Sequence, residues 1–230
     1  MIILALDTSG PSLSVAIARE GALAYEATLH SGLTHSQNLM PMVESALNAL
    51  QLKPSDLSLL AVADGPGSFT GVRIGVAAAK GLARAFNTPC VGIDALEALA
   101  WGTGEKHDVV CPIRDARAGQ VYGAAFQNGQ RLLPDAVLQL TEYMNQVRPL
   151  GEKLLFVGDG VAPHRARIME LLGEQALFAQ PHLMLLKAGA VAALAMQRPQ
   201  DYVAAAELLP RYLRAPQAER LRAQKQEQND

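Results

Sequence analysis

The first thirty positions hold three short apolar runs. Ile2 to Leu6 is apolar throughout, the pattern of a strand buried on both faces. Leu13 to Ala18 alternates weakly, and Ala22 to Leu29 follows it across the Glu20-Gly21 turn, so the three predict an antiparallel meander. The period then changes. Leu39, Met42, Val43, Ala46, Leu47 and Leu50 recur at helical spacing. Thr34-His35-Ser36-Gln37 precedes them in the form of a capping box, and Pro41 is expected to bend the helix early. Leu57 to Ala63 predicts another buried strand, which runs into the turn-rich stretch Asp64-Gly65-Pro66-Gly67-Ser68-Phe69-Thr70-Gly71. Val72 to Phe86 then reads as a helix that Asn87 and Pro89 end. Cys90 to Ile93 is a fifth strand, and Asp94 opens a short helix through Ala100.

This order, β-β-β-α-β-α-β-α, is that of a ribonuclease-H-like lobe. The rest of the chain repeats it less clearly. Val109 to Ile113 and Val121 to Phe126 predict strands, Asn128-Gly129 is a hairpin signal, and Leu132 to Leu140 predicts a third strand interrupted by Pro134. Thr141 to Arg148 and Ala162 to Leu172 read as helices on either side of a buried strand, Leu154 to Val157, and Ala188 to Gln197 is an alanine-rich helix. Each half begins with a strand that ends in an aspartate, Asp7 or Asp115. The expected division is a first lobe over 1–104, a second over 105–214, and a polar, frayed tail over 215–230.

Composition narrows the function. Lys and Arg number 20 and Asp and Glu 22, a formal charge of −2. That balance excludes a surface given over wholly to nucleic acid and leaves room for a local basic patch. Two cysteines, Cys90 and Cys111, both in apolar stretches, exclude a disulfide scaffold and a four-cysteine zinc site, and suit a reducing cytosol. The run Ala188 to Met196 falls far short of the roughly 18 apolar residues of a membrane span. A cytoplasmic protein without membrane association is the expectation.

The glycine-rich stretch from Gly65 to Gly75 admits two readings. Backbone N–H groups there can approach an anion at a helix start. It lacks the Lys-Ser/Thr pair of a P-loop, because Val72-Arg73 stand in its place, so a tight strand-to-helix turn is the plain alternative. Gly71, Gly75, Ala79 and Ala83 form a smooth ridge along the following helix, with Arg73, Lys80 and Arg84 as a charged stripe beside it. The ridge packs either inside its own lobe or against a helix of another chain. The five histidines form no i,i+4 ligand pair, and no G-x-S-x-G elbow surrounds Ser68. Asp7-Thr8-Ser9 is a passable remnant of a phosphate loop. Asp115, with Arg117 close by and a glycine only at 119, is a poor one, so a weak or absent nucleotide site is expected.

Several stretches carry a resemblance: LALDTS at 4–9, HSQNLMPMV at 35–43, GPGSFTGVRIG at 65–75, AKGLARAFNTPCVGIDALEALA at 79–100 and PRYLR at 210–214. In these the chain resembles the TsaB (YeaZ) family. The resemblance is specific over 1–102 and thin from there to PRYLR. It implies a two-lobed actin-like fold of the ASKHA type, an α/β architecture in which each lobe is ribonuclease-H-like, with a mixed five-stranded sheet flanked by helices. It implies a part in making threonylcarbamoyladenosine beside the anticodon of ANN-decoding tRNAs. The role implied is that of a non-catalytic scaffold for the paralogue TsaD, with TsaE in the larger complex and tRNA reached through it. Where TsaD has N-H-L-E-G-H, with two metal-holding histidines, this chain has Asp94-Ala95-Leu96-Glu97-Ala98-Leu99. Ala95 and Leu99 donate nothing to a metal.

No catalytic and no metal-ligating residues are therefore expected, and no cofactor in the isolated chain; ATP or ADP and metal belong to the partner subunits. The partner interface is expected at Leu39, Met42, Val43, Val72, Gly75, Val76 and Ala79, with Gly75→Leu as the blocking change, and self-pairing through the same surface when the chain is alone. The rival reading is an enzyme of the same fold, an ATPase or kinase or a glycoprotease-type metallopeptidase. A standalone tRNA-binding module is a third, which the near-neutral charge and few aromatics disfavour.

Overall fold

The computed structural model describes residues 1–104 and 109–214. Both sequence halves form a five-stranded mixed sheet. In the first, β1 (Ile2–Asp7) is flanked by β2 (Leu13–Arg19) and β4 (Leu59–Gly65), with β3 (Ala22–Leu29) and β5 (Cys90–Asp94) at the edges. The meander pairs antiparallel and β4 and β5 join in parallel. In the second, β6 (Val109–Asp115) takes the central place between β7 (Gln120–Gln127) and β9 (Leu154–Val157), with β8 (Gln130–Gln139) and β10 (Ala176–Phe178) outermost. Its pairing senses repeat those of the first sheet.

Two helices, α1 (His35–Ala49) and α2 (Phe69–Phe86), cover one face of the first sheet. Their inner residues interleave with Leu4, Leu6, Val15, Ile17 and Val62. Each fully buried Leu or Val contributes about 1.5–3 kcal/mol. On the second sheet, α4 (Leu140–Val147) and α5 (Val161–Leu172) pack around Tyr143, Phe156 and Ile168. The layer between the sheets holds α3 (Ala95–Trp101) and α6 (Ala188–Met196), an apolar filling made largely of alanine.

Three sequence expectations are corrected here. First, α2 starts at Phe69, three residues before Val72, because the Ser68 hydroxyl caps it by accepting from Gly71 N at 3.2 Å. Second, the capping box at Thr34 does not form. Its side chain makes no cap bond, and Asn38 Nδ2 donates instead to the Thr34 carbonyl at 3.2 Å. Third, the linear division at 104–105 does not describe α6. That helix lies in the same apolar layer as Ile3, Ala5, Ala16 and Ala61 of the first sheet, and Ala188 N donates to Ser14 Oγ of β2 at 2.9 Å. The expected junction at 105–108 and the tail over 215–230 lie outside the described residues. Among those described, no helix is long and apolar enough to cross a membrane.

From α6 the chain continues across the first lobe as a strap, 202–214. Val203 bridges Cys90 at the edge of β5, and Lys80 Nζ holds the carbonyls of Ala206 and Leu208 at 3.2 and 2.9 Å. Tyr212 stacks on Phe69 with centroids 4.9 Å apart and accepts from Arg73 Nε at 2.7 Å. Arg73 and Lys80 of the charged stripe thus hold the strap.

Candidate functional site

The carboxyl ends of β1 and β4 and the turn after β6 meet at a cleft of about 640 Å³ between the lobes. Its floor is the turn that follows β1. Thr8 Oγ1 donates to the Gly71 carbonyl at 2.7 Å, and Ser68 N donates to the Ser9 carbonyl at 2.8 Å. Ser9 N and Oγ both turn back on Asp7 Oδ1. The close approach of α2 needs glycine. A Cβ on Gly71 would lie 2.1 Å from the Thr8 carbonyl oxygen, and one on Gly75 2.5 Å from Thr8 Oγ1. The small-residue ridge is therefore spent inside its own lobe.

Arg114, in β6, reaches across from the second lobe. Its side chain is 3 % exposed, donating from Nη1 to Ser9 Oγ at 2.6 Å and to the Pro66 carbonyl at 3.0 Å, and from Nε to Asp159 at 3.0 Å. Beneath it Asp7 is fully buried, and its Oδ2 has no hydrogen-bond partner among the described residues. Burial pushes the Asp7 carboxyl above its usual range; the Arg114 charge and the bonds from Ser9 pull the other way.

Beside the cleft lies a second polar cluster. Asp94 caps α3 by accepting from Leu96 N and Glu97 N at 2.7 and 3.0 Å. Its other oxygen accepts from Arg131 of β8 at 3.0 Å and from Arg211 of the strap at 2.9 Å. Arg211 also reaches Asp64 at 3.3 Å, and its backbone N–H donates to the Asp64 carbonyl at 2.7 Å. Asp64 is pushed up to about 6, chiefly by burial, with Arg211 opposing and the Asp94 charge adding to the rise. This cluster ties the first sheet, the second sheet and the strap together.

The ten residues singled out in the sequence are placed as follows. Asp7, Thr8 and Ser9 come together at the cleft floor, where internal hydrogen bonds occupy them. The seven expected at a partner interface do not form a surface. Leu39, Val43, Val72, Gly75, Val76 and Ala79 are buried against the first sheet, and Met42 is half-buried there. Helical spacing revealed one face, and that face is the inward one. Sequence reasoning passed over Arg114, Asp159, Asp64 and Arg211. The available signal for Arg114 was a charge closing the apolar run VVCPIR. Ala95 and Leu99 are buried in α3. Among the described residues, no group of three or more His, Cys, Asp or Glu is gathered as for a metal ion. Cys90 and Cys111 are free and buried, and burial pushes the Cys111 thiol up to about 12.

Two five-stranded mixed sheets of one topology, packed on a shared helical layer with a cleft at their strand ends, define a two-lobed actin-like α/β protein. The fold matches component A of the (R)-2-hydroxyglutaryl-CoA dehydratase of Acidaminococcus fermentans, with a TM-score of 0.53 at 12% identity over 86% of this chain and 98% of that one. Nearer relatives are more particular. A solved protein of Pseudomonas aeruginosa, described as similar to peptidase YeaZ, superposes with a TM-score of 0.76 at 28% identity, covering 93% of this chain and 99% of that one. The tRNA threonylcarbamoyladenosine biosynthesis protein TsaB of Bacillus subtilis is 38% identical over 177 residues, 75% of this chain and 77% of that protein. Residues 30–222 match the family described as TsaD, tRNA N6-adenosine threonylcarbamoyltransferase. The chain belongs to the TsaB (YeaZ) family.

Proposed function

We propose that this chain acts in tRNA threonylcarbamoyladenosine biosynthesis as a scaffold that binds TsaD and is not itself the catalyst. It would work with TsaE, on ANN-decoding tRNAs reached through the complex, in the cytoplasm. Nucleotide and metal are assigned to the partner subunits. The observation that carries this reading is the outer face of α1 and α2. With their inner residues buried, the pair still exposes Met40, Pro41, Ala77, Gly81 and Ala85, small or flexible side chains set among the polar Gln37, Glu44, Arg73 and Arg84. Small residues allow helices of another chain to approach closely, and exposed apolar side chains within a polar rim are the make-up of a protein interface. The contact residues proposed are these outward ones, while the seven inward residues hold the helices in position. Self-pairing through the same face is the proposed state of the chain alone.

The test is co-purification with TsaD, combined with reconstituted tRNA threonylcarbamoylation. Ala77→Arg and Met40→Arg place charges on the outer face without entering the core. Expected results are loss of the TsaD complex, loss of product, and unchanged melting of the isolated chain. Full product formation with this chain omitted, or unimpaired pairing in both variants, defeats the proposal.

A further inference from the structure

The first hairpin of each lobe is where a two-lobed nucleotide-binding fold contacts phosphate, and here that place does not fit a polyphosphate. The turn at 8–11 and the loop at 65–68 form a cradle already filled by a side chain. A Cβ on Gly10 would lie 2.1 Å from Arg114 Nη2, and one on Gly67 2.9 Å from Nη1. The groups facing the guanidinium are acceptors, namely Ser9 Oγ, the Pro66 carbonyl and the Asp159 carboxylate. Acceptors on three sides match a planar cation with several donors and repel an anion.

We infer that this interlobe cradle is a guanidinium site held by the chain's own Arg114, which locks the two lobes together. The inference is independent of the partner reading above. The lock connects directly to the two helices that cover the first sheet. His35, the first residue of α1, holds the Gly10 carbonyl through Nε2 at 2.8 Å. Thr8 holds the Gly71 carbonyl of α2, and Ser68 N, at the α2 cap, holds the Ser9 carbonyl. One turn therefore receives α1, α2 and the second lobe together, and Arg114 is its link to the second lobe.

Gly10 offers a clean probe. Its added methyl would meet Arg114 first, at Nη2 2.1 Å and Cζ 3.3 Å away, with Asp159 Oδ1 next at an ordinary 3.8 Å. Gly10→Ala therefore evicts the guanidinium while leaving Arg114 in the chain. Amide hydrogen exchange at 8–11 and 65–68 is the readout. Gly10→Ala and Arg114→Ala should each speed exchange in both segments by about tenfold or more. In the double variant the Gly10→Ala effect should vanish, since nothing remains to be evicted. Millimolar methylguanidinium should restore protection to Arg114→Ala, and methylammonium should not. Additive effects of the two changes, undisturbed protection in Arg114→Ala, or equal rescue by both cations overturns the inference. If Arg114→Ala does not fold, Arg114→Lys replaces it. An ammonium cannot span the three acceptors, so the same loss of protection is expected, and full protection with lysine overturns the inference.

Discussion

In the first sheet β1 ends at Asp7 and the chain turns through Thr8, Ser9 and Gly10. In the second, β6 ends at Asp115 and the chain turns through Ala116, Arg117 and Ala118. The first turn is buried beneath the glycine-lined start of α2. The second is open: Arg117 is 90 % exposed, and Arg117 and Ala118 adopt φ of +67° and +52°. Strand order and pairing sense are common to both lobes. Both lobes pack backbone on backbone, since a Cβ on Gly158 would lie 2.1 Å from the Ile113 carbonyl oxygen; the difference is that the second also contributes long side chains, Arg114 and Arg131, to sockets in the first. A shared frame thus fixes where the turns lie, and the side chains around each turn decide what it receives.

The largest effect is expected where backbone meets backbone. Gly71→Val drives a branched side chain into the Thr8 carbonyl, which has no room to retreat. It should cost more than about 4 kcal/mol and leave little folded protein in urea or thermal unfolding. Gly123→Ala, in β7 of the second lobe, meets a side chain instead, the Tyr143 ring at 2.6 Å. A ring can shift where a carbonyl cannot, so about 1–3 kcal/mol is expected. Equal losses would break the contrast. Gly75→Leu, conceived from the sequence as a block to a partner, should by the same reasoning destabilise the lobe itself.

Next comes the joint between the lobes. Asp94→Ala removes the shared acceptor of Arg131, Arg211 and two backbone N–H groups of α3. Arg131 keeps Asp135 and Glu97 and Arg211 keeps Asp64, so the loss is that of the α3 cap and two charged bonds, about 2–4 kcal/mol, read by chemical denaturation. A loss below about 1 kcal/mol would show the joint to be no stronger than a surface ion pair.

A smaller, pH-dependent effect is expected at Asp64, at the end of β4. With its pKa raised to about 6, the folded chain keeps a proton that the unfolded chain releases. The sign follows: this contribution is full below about pH 4, falls as pH rises and is lost above about pH 6. Relative to Asp64→Asn, the natural chain should lose on the order of 2 kcal/mol across that window. Parallel stability curves for the two proteins would assign the shift to another group.

Much of the frame is legible in the sequence, because apolar runs with turn signals define strands without reference to partners. β3 and β9 fall on their expected residues, and most other strands within one or two positions. β10 escaped because three residues between short turns carry no period. The start of α2 escaped because Ser68, Phe69 and Thr70 extend no apolar stripe. The helical period of Leu39, Val43, Val72 and Val76 marks a face without saying what covers it, and the cover is the chain's own sheet. The cleft was least legible. Ser9 and Arg114 are 105 residues apart, and only the folded chain brings them together.

The smallest contrast concerns helix starts. In the first half the Ser68 side chain caps α2 and the Asp94 side chain caps α3, while Thr34 leaves α1 without a side-chain cap; in the second, Gln139 and Gly160 precede α4 and α5 with no side-chain cap bond. Ser68→Ala removes an acceptor from the Gly71 amide and should cost about 1 kcal/mol. Gln139→Ala removes no cap bond and should stay within about 0.5 kcal/mol. Ser68 also carries the backbone N–H that holds the Ser9 carbonyl, and alanine keeps that bond. The Ser68→Ala loss should therefore appear in thermal stability with amide exchange at 8–11 unchanged. If exchange there rises with the loss of the hydroxyl, the cap and the cleft floor are one cooperative unit, and the first lobe's packing depends on side-chain bonds more than the backbone contacts imply.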